Sequence, residues 1–77
     1  MSIKYQFMAA GLTQVELAAE VSIRMKRDGV NMVCDRACVS LTLSKQAKGL
    51  PMSGKEQKVY AYLMEMSEEL KHGKAWS

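Results

Sequence analysis

Two cysteines and one histidine are the residues of this chain best suited to redox or metal chemistry. Cys34 and Cys38 are four residues apart, and the only histidine, His72, lies far from them near the C-terminus. A zinc site takes about four nitrogen or sulfur ligands, so this set predicts no metal site. On a helix, the four-residue spacing would place both thiols on one face as small hydrophobic groups. We predict a structural role for the two cysteines, with a redox switch or a disulfide as the alternative.

Acid–base or nucleophilic catalysis has little support in the sequence. Catalysis needs a nucleophile, a base or a metal near a pocket, and the position of the single histidine offers no such arrangement. Glu65, Glu68 and Glu69 form an acidic group that we expect on a solvated helix face. Gly49 and Gly54 are isolated, so they do not form a phosphate-binding loop. We predict that the protein is not an enzyme and uses no cofactor, metal or small-molecule substrate.

Basic residues concentrate in the middle of the chain. The formal net charge of the 77 residues is +3. The segment 24–58 contains eight basic and three acidic residues, a net charge of +5, so the two flanks together carry −2. A basic centre between acidic ends is typical of a surface that binds a polyanion, although lysine and arginine also solvate helix surfaces. Charge alone leaves both interpretations open.

Length and composition predict one small domain. A chain of 77 residues has a thin core, and its 48% hydrophobic content argues against disorder. No apolar run approaches the roughly 18 residues that a membrane span needs, and the first residues are too polar for an export signal. We therefore predict a cytoplasmic protein that binds no membrane, with one domain at residues 1–72 and a short tail at residues 73–77.

The first two helices are bounded by capping residues. Ser2 caps a helix that is predicted to run to about residue 10, where Gly11 stops it. Thr13 and Glu16 then form a capping box, in which each side chain satisfies a backbone N–H of the other residue, and Gly29 ends the second helix. Apolar residues at helical spacing are predicted to face the core: Ile3, Phe7 and Met8 in the first helix, and Val15, Leu17, Ala18, Val21 and Met25 in the second.

The last helix also begins with a capping box. Ser53 and Glu56 start it after the turn at Pro51, and it is predicted to run to about His72. The predicted core residues of this helix are Val59, Leu63, Met66 and Leu70, with Tyr60 and Met64 alongside.

The segment 30–50 is compatible with two structures. As a helix it starts at Asp35 and ends at Gly49. It would then have two apolar faces that would both need to be buried, one with Ala37, Cys38 and Leu41 and the other with Val39, Leu43, Ala47 and Leu50. Its central sequence VSLTLS, however, alternates apolar and polar residues as a strand does, and the preceding VNMVC could be a hairpin partner. We predict an all-α fold, a small helical bundle, and keep an α+β fold with a short hairpin at about residues 30–44 as the alternative.

The second helix resembles the first half of a known DNA-binding motif. LTQVELAAEV (12–21) resembles the opening of the helix-turn-helix in the Cro and lambda-repressor type family, which favours Leu-Thr-Gln, Glu-Leu-Ala and then a large aliphatic residue. TLSKQAKG (42–49) resembles the end of that family's recognition helix, and the capped helix after it resembles the next element. The likeness covers most of residues 11–65. It implies a variant helix-turn-helix that binds double-stranded DNA.

This resemblance implies a set of DNA-binding residues. Gln14 follows the cap of the second helix, where its amide and the free backbone N–H groups can reach a phosphate. The recognition helix would lie in the major groove, where hydroxyl and cationic side chains can donate to bases or phosphates. The candidates on that helix are Ser40 and Lys45, which match the motif best, and Arg36, Thr42 and Lys48. The implied function is a sequence-specific transcriptional regulator, such as a repressor of a phage or mobile element.

The chain departs from the motif between the two helices. That family allows only a few residues there, whereas about fifteen additional residues separate Val21 from the match at Thr42. The insertion, residues 22–38, must lengthen the second helix, form a loop, or do both. It therefore changes the angle at which the recognition helix projects. The glutamate that the family places before the closing region is also replaced, by Ala47.

Two kinds of partner follow from these patterns. A homodimer would present two recognition helices to a two-fold symmetric DNA site, and Tyr60, Met64 and Trp76 are the predicted dimerisation residues. The alternative function is a small protein-binding adaptor or inhibitor that uses a methionine-rich surface, since methionine adapts to irregular partners and the chain has seven.

Overall fold

The chain folds into four helices in the computed structural model, which describes residues 3–73. The helices are α1 (Ile3–Ala9), α2 (Gln14–Arg27), α3 (Arg36–Lys48) and α4 (Gly54–Lys71). Residues 3–73 contain no strand, so the predicted small all-α bundle is confirmed and the alternative hairpin at residues 30–44 is wrong. Every helix in this part of the chain is too short or too polar to cross a membrane.

The two predicted capping boxes fix the starts of α2 and α4. The Thr13 hydroxyl accepts the backbone N–H of Glu16 at 3.2 Å, and the Glu16 carboxylate accepts that of Thr13 at 3.1 Å. Ser53 and Glu56 form the same pair, at 3.3 and 2.8 Å. Each pair satisfies backbone donors that have no partner within their own helix. The first residues of both helices are therefore set by local sequence.

Local signals also explain why the segment after residue 35 is a helix. The Asp35 carboxylate accepts the backbone N–H of Cys38 at 2.8 Å, which caps the start of α3. Gly49 ends it in the left-handed conformation with φ +69°, which glycine adopts without strain. Buried Val39 and Leu43 then fall on one face, four residues apart. The alternation in VSLTLS is overridden because these caps select a helix.

The core is built from one face of each helix. Phe7 of α1, Val21 of α2, Val39 of α3 and Leu63 of α4 are each at most 1% exposed and belong to one hydrophobic cluster. The predicted core residues that are confirmed are Ile3, Phe7, Leu17, Ala18, Val21, Met25, Val59, Leu63 and Met66.

Six apolar residues expected in the core lie on the surface instead, among them Ala37, Ala47 and Leu50 of the two predicted α3 faces. Met8 is 59% exposed, Val15 is 60% exposed and Leu41 is 50% exposed. Phe7 takes the inward position of α1 and Leu17 that of α2, so Met8 and Val15 face away from the core. α3 likewise buries one face and not the predicted two.

The connection between α2 and α3 contains the insertion at residues 22–38. α2 continues to Arg27, and a loop of residues 28–35 leads back to α3. The loop is fastened to α2 because the Ser22 hydroxyl donates to the backbone carbonyl of Cys34 at 3.0 Å. The insertion thus lengthens α2 and also forms a loop that returns the start of α3 to the side of α2.

A buried arginine joins α2 to α4. Arg24 is 5% exposed, and its Nε donates to Glu20 of the same helix at 2.7 Å. Its terminal nitrogens donate to Glu65 at 2.6 Å and to Glu69 at 2.7 and 2.8 Å, both on α4. Hydrogen bonding to Glu69 raises the pKa of Arg24 in spite of its burial. Glu65 and Glu69 were expected to solvate the outer face of the last helix and to pair with nearby lysines, but they instead hold the buried Arg24.

Candidate nucleic-acid interface

The N-terminus of α2 and the exposed side of α3 form one shallow groove. Because α2 begins directly after Thr13, Gln14 lies at its tip, beside the first turns of α3. The groove is lined by Gln14, Arg36, Ala37, Ser40, Leu41 and Ser44. It brings together three of the residues predicted from sequence to bind DNA, namely Gln14, Arg36 and Ser40.

The outward stripe of α3 separates this groove from a second cleft. Ala37, Leu41, Ser44 and Lys48 recur at steps of four, three and four residues, so they share one side of the helix. We call this stripe, together with the flanking Arg36 and Ser40, the α3 ridge. Ala37 and Leu41 also line a cleft on the other side of the helix. Its other walls are Asp35 and Cys38 at the start of α3 and Ser53, Lys55 and Glu56 at the start of α4. The ridge therefore stands between the N-termini of two other helices.

Unpaired positive charge surrounds the α3 ridge. Arg36 and Lys48 belong to the ridge, Lys55 borders the second cleft, and Lys58 lies about one turn further along α4. None of these exposed side chains forms an ion pair or hydrogen bond with another residue in the range 3–73. Lys26, near the end of α2, is a fifth exposed cation of this kind.

The acidic side chains, by contrast, are engaged within the fold. The eight acidic residues each accept a hydrogen bond: Glu16, Asp35 and Glu56 at helix starts, Glu20, Glu65 and Glu69 at Arg24, Asp28 at Arg27, and Glu68 at Lys71. Two of these carboxylates, Asp35 and Glu56, line the second cleft beside the α3 ridge, and both accept hydrogen bonds at helix starts. Neither forms an ion pair with Arg36 or Lys48. The result is a positive surface that complements a polyanion.

Two predicted DNA-binding residues have other roles in the structure. Thr42 is fully buried beside Leu43, so its side chain cannot reach DNA and that prediction is wrong. Lys45 donates to the buried carboxylate of Glu56 at 2.8 Å and is only partly exposed. The Lys45 ammonium lowers the pKa of Glu56, so the two form a stable ion pair that joins α3 to α4. The motif match located the helix but not the direction in which each side chain points.

Residues of the α3 ridge that sequence reasoning missed are Ala37, Leu41 and Ser44. The available signal was the buried pair Val39 and Leu43, since residues about half a turn away from them must face outward. On a helix this rule selects Ala37, Leu41 and Lys48.

Comparison of the chain with protein-family models, curated proteins and solved structures found no match. The resemblance to the Cro and lambda-repressor type motif is therefore carried only by the residues quoted for it.

The predicted dimerisation residues fall in two places. Tyr60 and Met64 are half-buried and line a groove between α1 and α4, together with Tyr5, which is 61% exposed. Trp76 lies outside the described residues. Residues of α1 therefore form one wall of the groove that contains Tyr60 and Met64.

A more exposed apolar stripe lies on α2. Val15, Ala19 and Ile23 recur every four residues, and Val15 and Ile23 are 60% and 62% exposed. A groove beside this stripe runs to Met66 on α4 and also contains Leu12. The sequence offered a signal for it, because α2 has apolar residues on more than one face.

Cys34 lies in the 28–35 loop and Cys38 in the first turn of α3, so the two thiols do not share one helix face as the spacing had suggested. Both are free thiols, with Cys34 buried and Cys38 partly exposed. Burial raises the pKa of the Cys34 thiol to about 12, and the neighbouring Cys38 contributes to the same shift. Because the thiolate is the reactive form, Cys34 is a poor nucleophile at neutral pH, as expected for a packing residue.

Proposed function

We propose that this protein is a DNA-binding transcriptional regulator that inserts the α3 ridge into the major groove. The major groove is about 12 Å wide and admits one α-helix. α3 has 13 residues, about 20 Å of helix, and presents one uncovered side. The observation that carries this proposal is the difference in pairing, since the cations around the ridge form no ion pair with a described residue and each carboxylate is engaged in a hydrogen bond within the fold.

The side chains around the ridge have distinct roles in this proposal. Arg36, Ser40 and Ser44 are placed to donate to base edges or to phosphates. Gln14 at the tip of α2 and Lys55 near the start of α4 flank the ridge on opposite sides, where the two phosphate backbones would run. Sequence would be recognised by the ridge, and affinity would come from the cations on both sides.

A homodimer is part of the proposal, because a two-fold assembly would place two ridges on half-sites about 34 Å apart. Two apolar surfaces are available for it, the α1–α4 groove with Met64 and the α2 stripe with Ile23. Sedimentation of Met64→Glu and Ile23→Glu variants would distinguish them, since only the variant at the interface should shift to monomer. A wild-type chain that is monomeric at micromolar concentration would remove the dimer from the proposal.

The alternative function, a protein-binding adaptor, loses its main argument in the structure. Of the six methionines in residues 3–73, Met25 and Met66 are buried, only Met8 is well exposed, and the others are half-buried: Met32, Met52 and Met64. A methionine-rich surface is therefore absent from this part of the chain. The α2 stripe is the one surface that still favours a protein partner, and a second copy of the chain would also satisfy it.

The decisive experiment is binding to duplex DNA of mixed sequence at increasing salt. The affinity should fall steeply as salt rises, because cationic side chains that contact phosphates release condensed counterions from the DNA. No binding at low salt, or an affinity that does not change with salt, would overturn the proposed function.

A further inference from the structure

We infer that Leu41, supported by Ala37, recognises the C5-methyl group of thymine in the major groove. The inference rests on the proposed function and names the base chemistry that the α3 ridge would select. It assigns specificity to the apolar part of the ridge, whereas the resemblance in sequence assigned DNA contacts only to polar and charged residues.

The position of Leu41 carries the first step. It lies near the centre of the outward stripe of α3 and is 50% exposed. Together with Ala37, one turn earlier, it lines the clefts on both sides of the ridge, so no described element covers it. A single exposed leucine needs no explanation by itself. Its surroundings decide what can cover it.

Those surroundings favour nucleic acid over an apolar protein surface. Arg36 and Lys48 share the ridge with Leu41, and neither forms an ion pair with a described residue. An apolar partner that covered Leu41 would also have to remove these cations from water, which is costly. A DNA groove supplies phosphates for the cations and methyl groups for the leucine. The cationic and the apolar side chains of the ridge would then each have a complementary group on the DNA.

The chemistry of the groove selects the base. Thymine presents a C5-methyl group in the major groove, whereas cytosine presents an amino group at the neighbouring position. Contact with the methyl group removes apolar surface of Leu41 from water. Contact with cytosine would instead cover a hydrogen-bond donor with a side chain that cannot accept from it. We expect Leu41 to favour thymine at one or two positions of the target.

The experiment first selects a preferred duplex from a random library with the full chain. Each thymine in that duplex is then replaced by uracil, which removes the methyl group and keeps every hydrogen-bonding atom. At the position that faces Leu41, the wild-type affinity should fall about fourfold, the effect of losing contact with one buried methyl group. In Leu41→Ala the same replacement should have no effect.

Leu50→Ala is the matched control, because Leu50 is also 50% exposed but lies outside the residues that line the two clefts. This variant should keep the difference between thymine and uracil. The inference is overturned if no uracil replacement weakens wild-type binding, or if Leu41→Ala responds to uracil as the wild type does. Salt-dependent DNA binding would persist in either case, so failure of the inference is distinguishable from failure of the proposed function. The wild-type measurement alone tests the inference if Leu41→Ala does not fold.

Discussion

The hydroxyl of Tyr62 on α4 donates a hydrogen bond of 2.8 Å to the carboxylate of Asp28, the residue that ends α2. The same carboxylate accepts a hydrogen bond of 2.8 Å from Arg27. The point at which the chain leaves α2 and enters the 28–35 loop is thus tied to α4. Because α3 follows this loop directly, the contact helps to fix where the α3 ridge stands.

The Asp28 contacts predict a stability change at acidic pH. Hydrogen bonds from Arg27 and then from Tyr62 lower the pKa of Asp28 to about 2, against about 3.9 for an unperturbed aspartate. A carboxylate with a depressed pKa stabilises the fold above its unfolded pKa, and this contribution is lost as the pH falls from about 4 to 2. Urea unfolding of the wild type and Asp28→Asn should give free energies that differ at pH 6 and converge near pH 2. A difference that stays constant over this range would contradict the prediction.

Removing the buried arginine should destabilise the protein strongly. Arg24→Ala leaves three carboxylates, Glu20, Glu65 and Glu69, close together without their shared cation. We expect a loss of about 3 kcal/mol in the free energy of unfolding, measured by urea denaturation. Arg27→Ala is the comparison, because Arg27 is exposed and its loss should matter much less. If the two substitutions lower the free energy of unfolding equally, the burial of Arg24 does not increase its contribution to stability.

Thr42→Val should stabilise the protein. The Thr42 hydroxyl is fully buried and has no hydrogen-bond partner, and valine has nearly the same shape without the hydroxyl. We expect a gain of about 1 kcal/mol in the free energy of unfolding. DNA affinity should be unchanged, since Thr42 faces the core. A loss of DNA affinity with folding intact would restore Thr42 as a contact residue.

The cations of the α3 ridge should dominate DNA binding. Arg36→Ala and Lys48→Ala are each expected to weaken binding to mixed-sequence duplex several-fold. Each lost phosphate contact should also reduce the slope of log affinity against log salt by about 0.9. Lys26→Ala is the matched control, because Lys26 is exposed and unpaired but lies about 18 Å along α2 from Gln14. If Lys26→Ala has the same effect, binding depends on net charge and not on the ridge.

The two thiols should differ in reactivity. Cys34 is buried with a pKa of about 12, whereas Cys38 is partly exposed. A thiol reagent at pH 8 should therefore modify one thiol per chain quickly and the second only on the timescale of unfolding. Mass spectrometry of Cys34→Ala and Cys38→Ala identifies which one reacts. Rapid modification of Cys34 in the folded protein would contradict the described packing.

Local signals in the sequence predicted where the helices begin and end. Each of three helices is capped by a side chain that contacts a backbone N–H three residues later; the capping residues are Thr13, Asp35 and Ser53. Gly49 ends α3 through its own backbone conformation. Both partners of each of these interactions are therefore close together in the sequence. The arginine cluster was not predictable, because Arg24 and Glu69 are 45 positions apart. Contacts between residues so far apart in sequence depend on how the helices pack against each other, and a single sequence does not reveal this packing.

The candidate site was predicted only in part for the same reason. Gln14, Arg36 and Ser40 were proposed from the resemblance as DNA-binding residues, and the structure brings them into one groove. Thr42 was misassigned because a step of one residue turns a helical side chain by about 100°. Lys45 stays a prediction, since it pairs with Glu56 but is partly exposed. The direction of each side chain follows from which face of α3 meets α2 and α4.

The engagement of the carboxylates within the fold has a consequence for how the protein would respond to its surroundings. Neither cleft beside the α3 ridge is lined by histidine, the side chain whose charge changes most readily near neutral pH, and the two carboxylates of the second cleft, Asp35 and Glu56, each accept hydrogen bonds at a helix start. We therefore expect the charge of the ridge to change little near neutral pH. Occupancy of a target would follow the number of protein copies and the ionic strength, and would be insensitive to proton concentration.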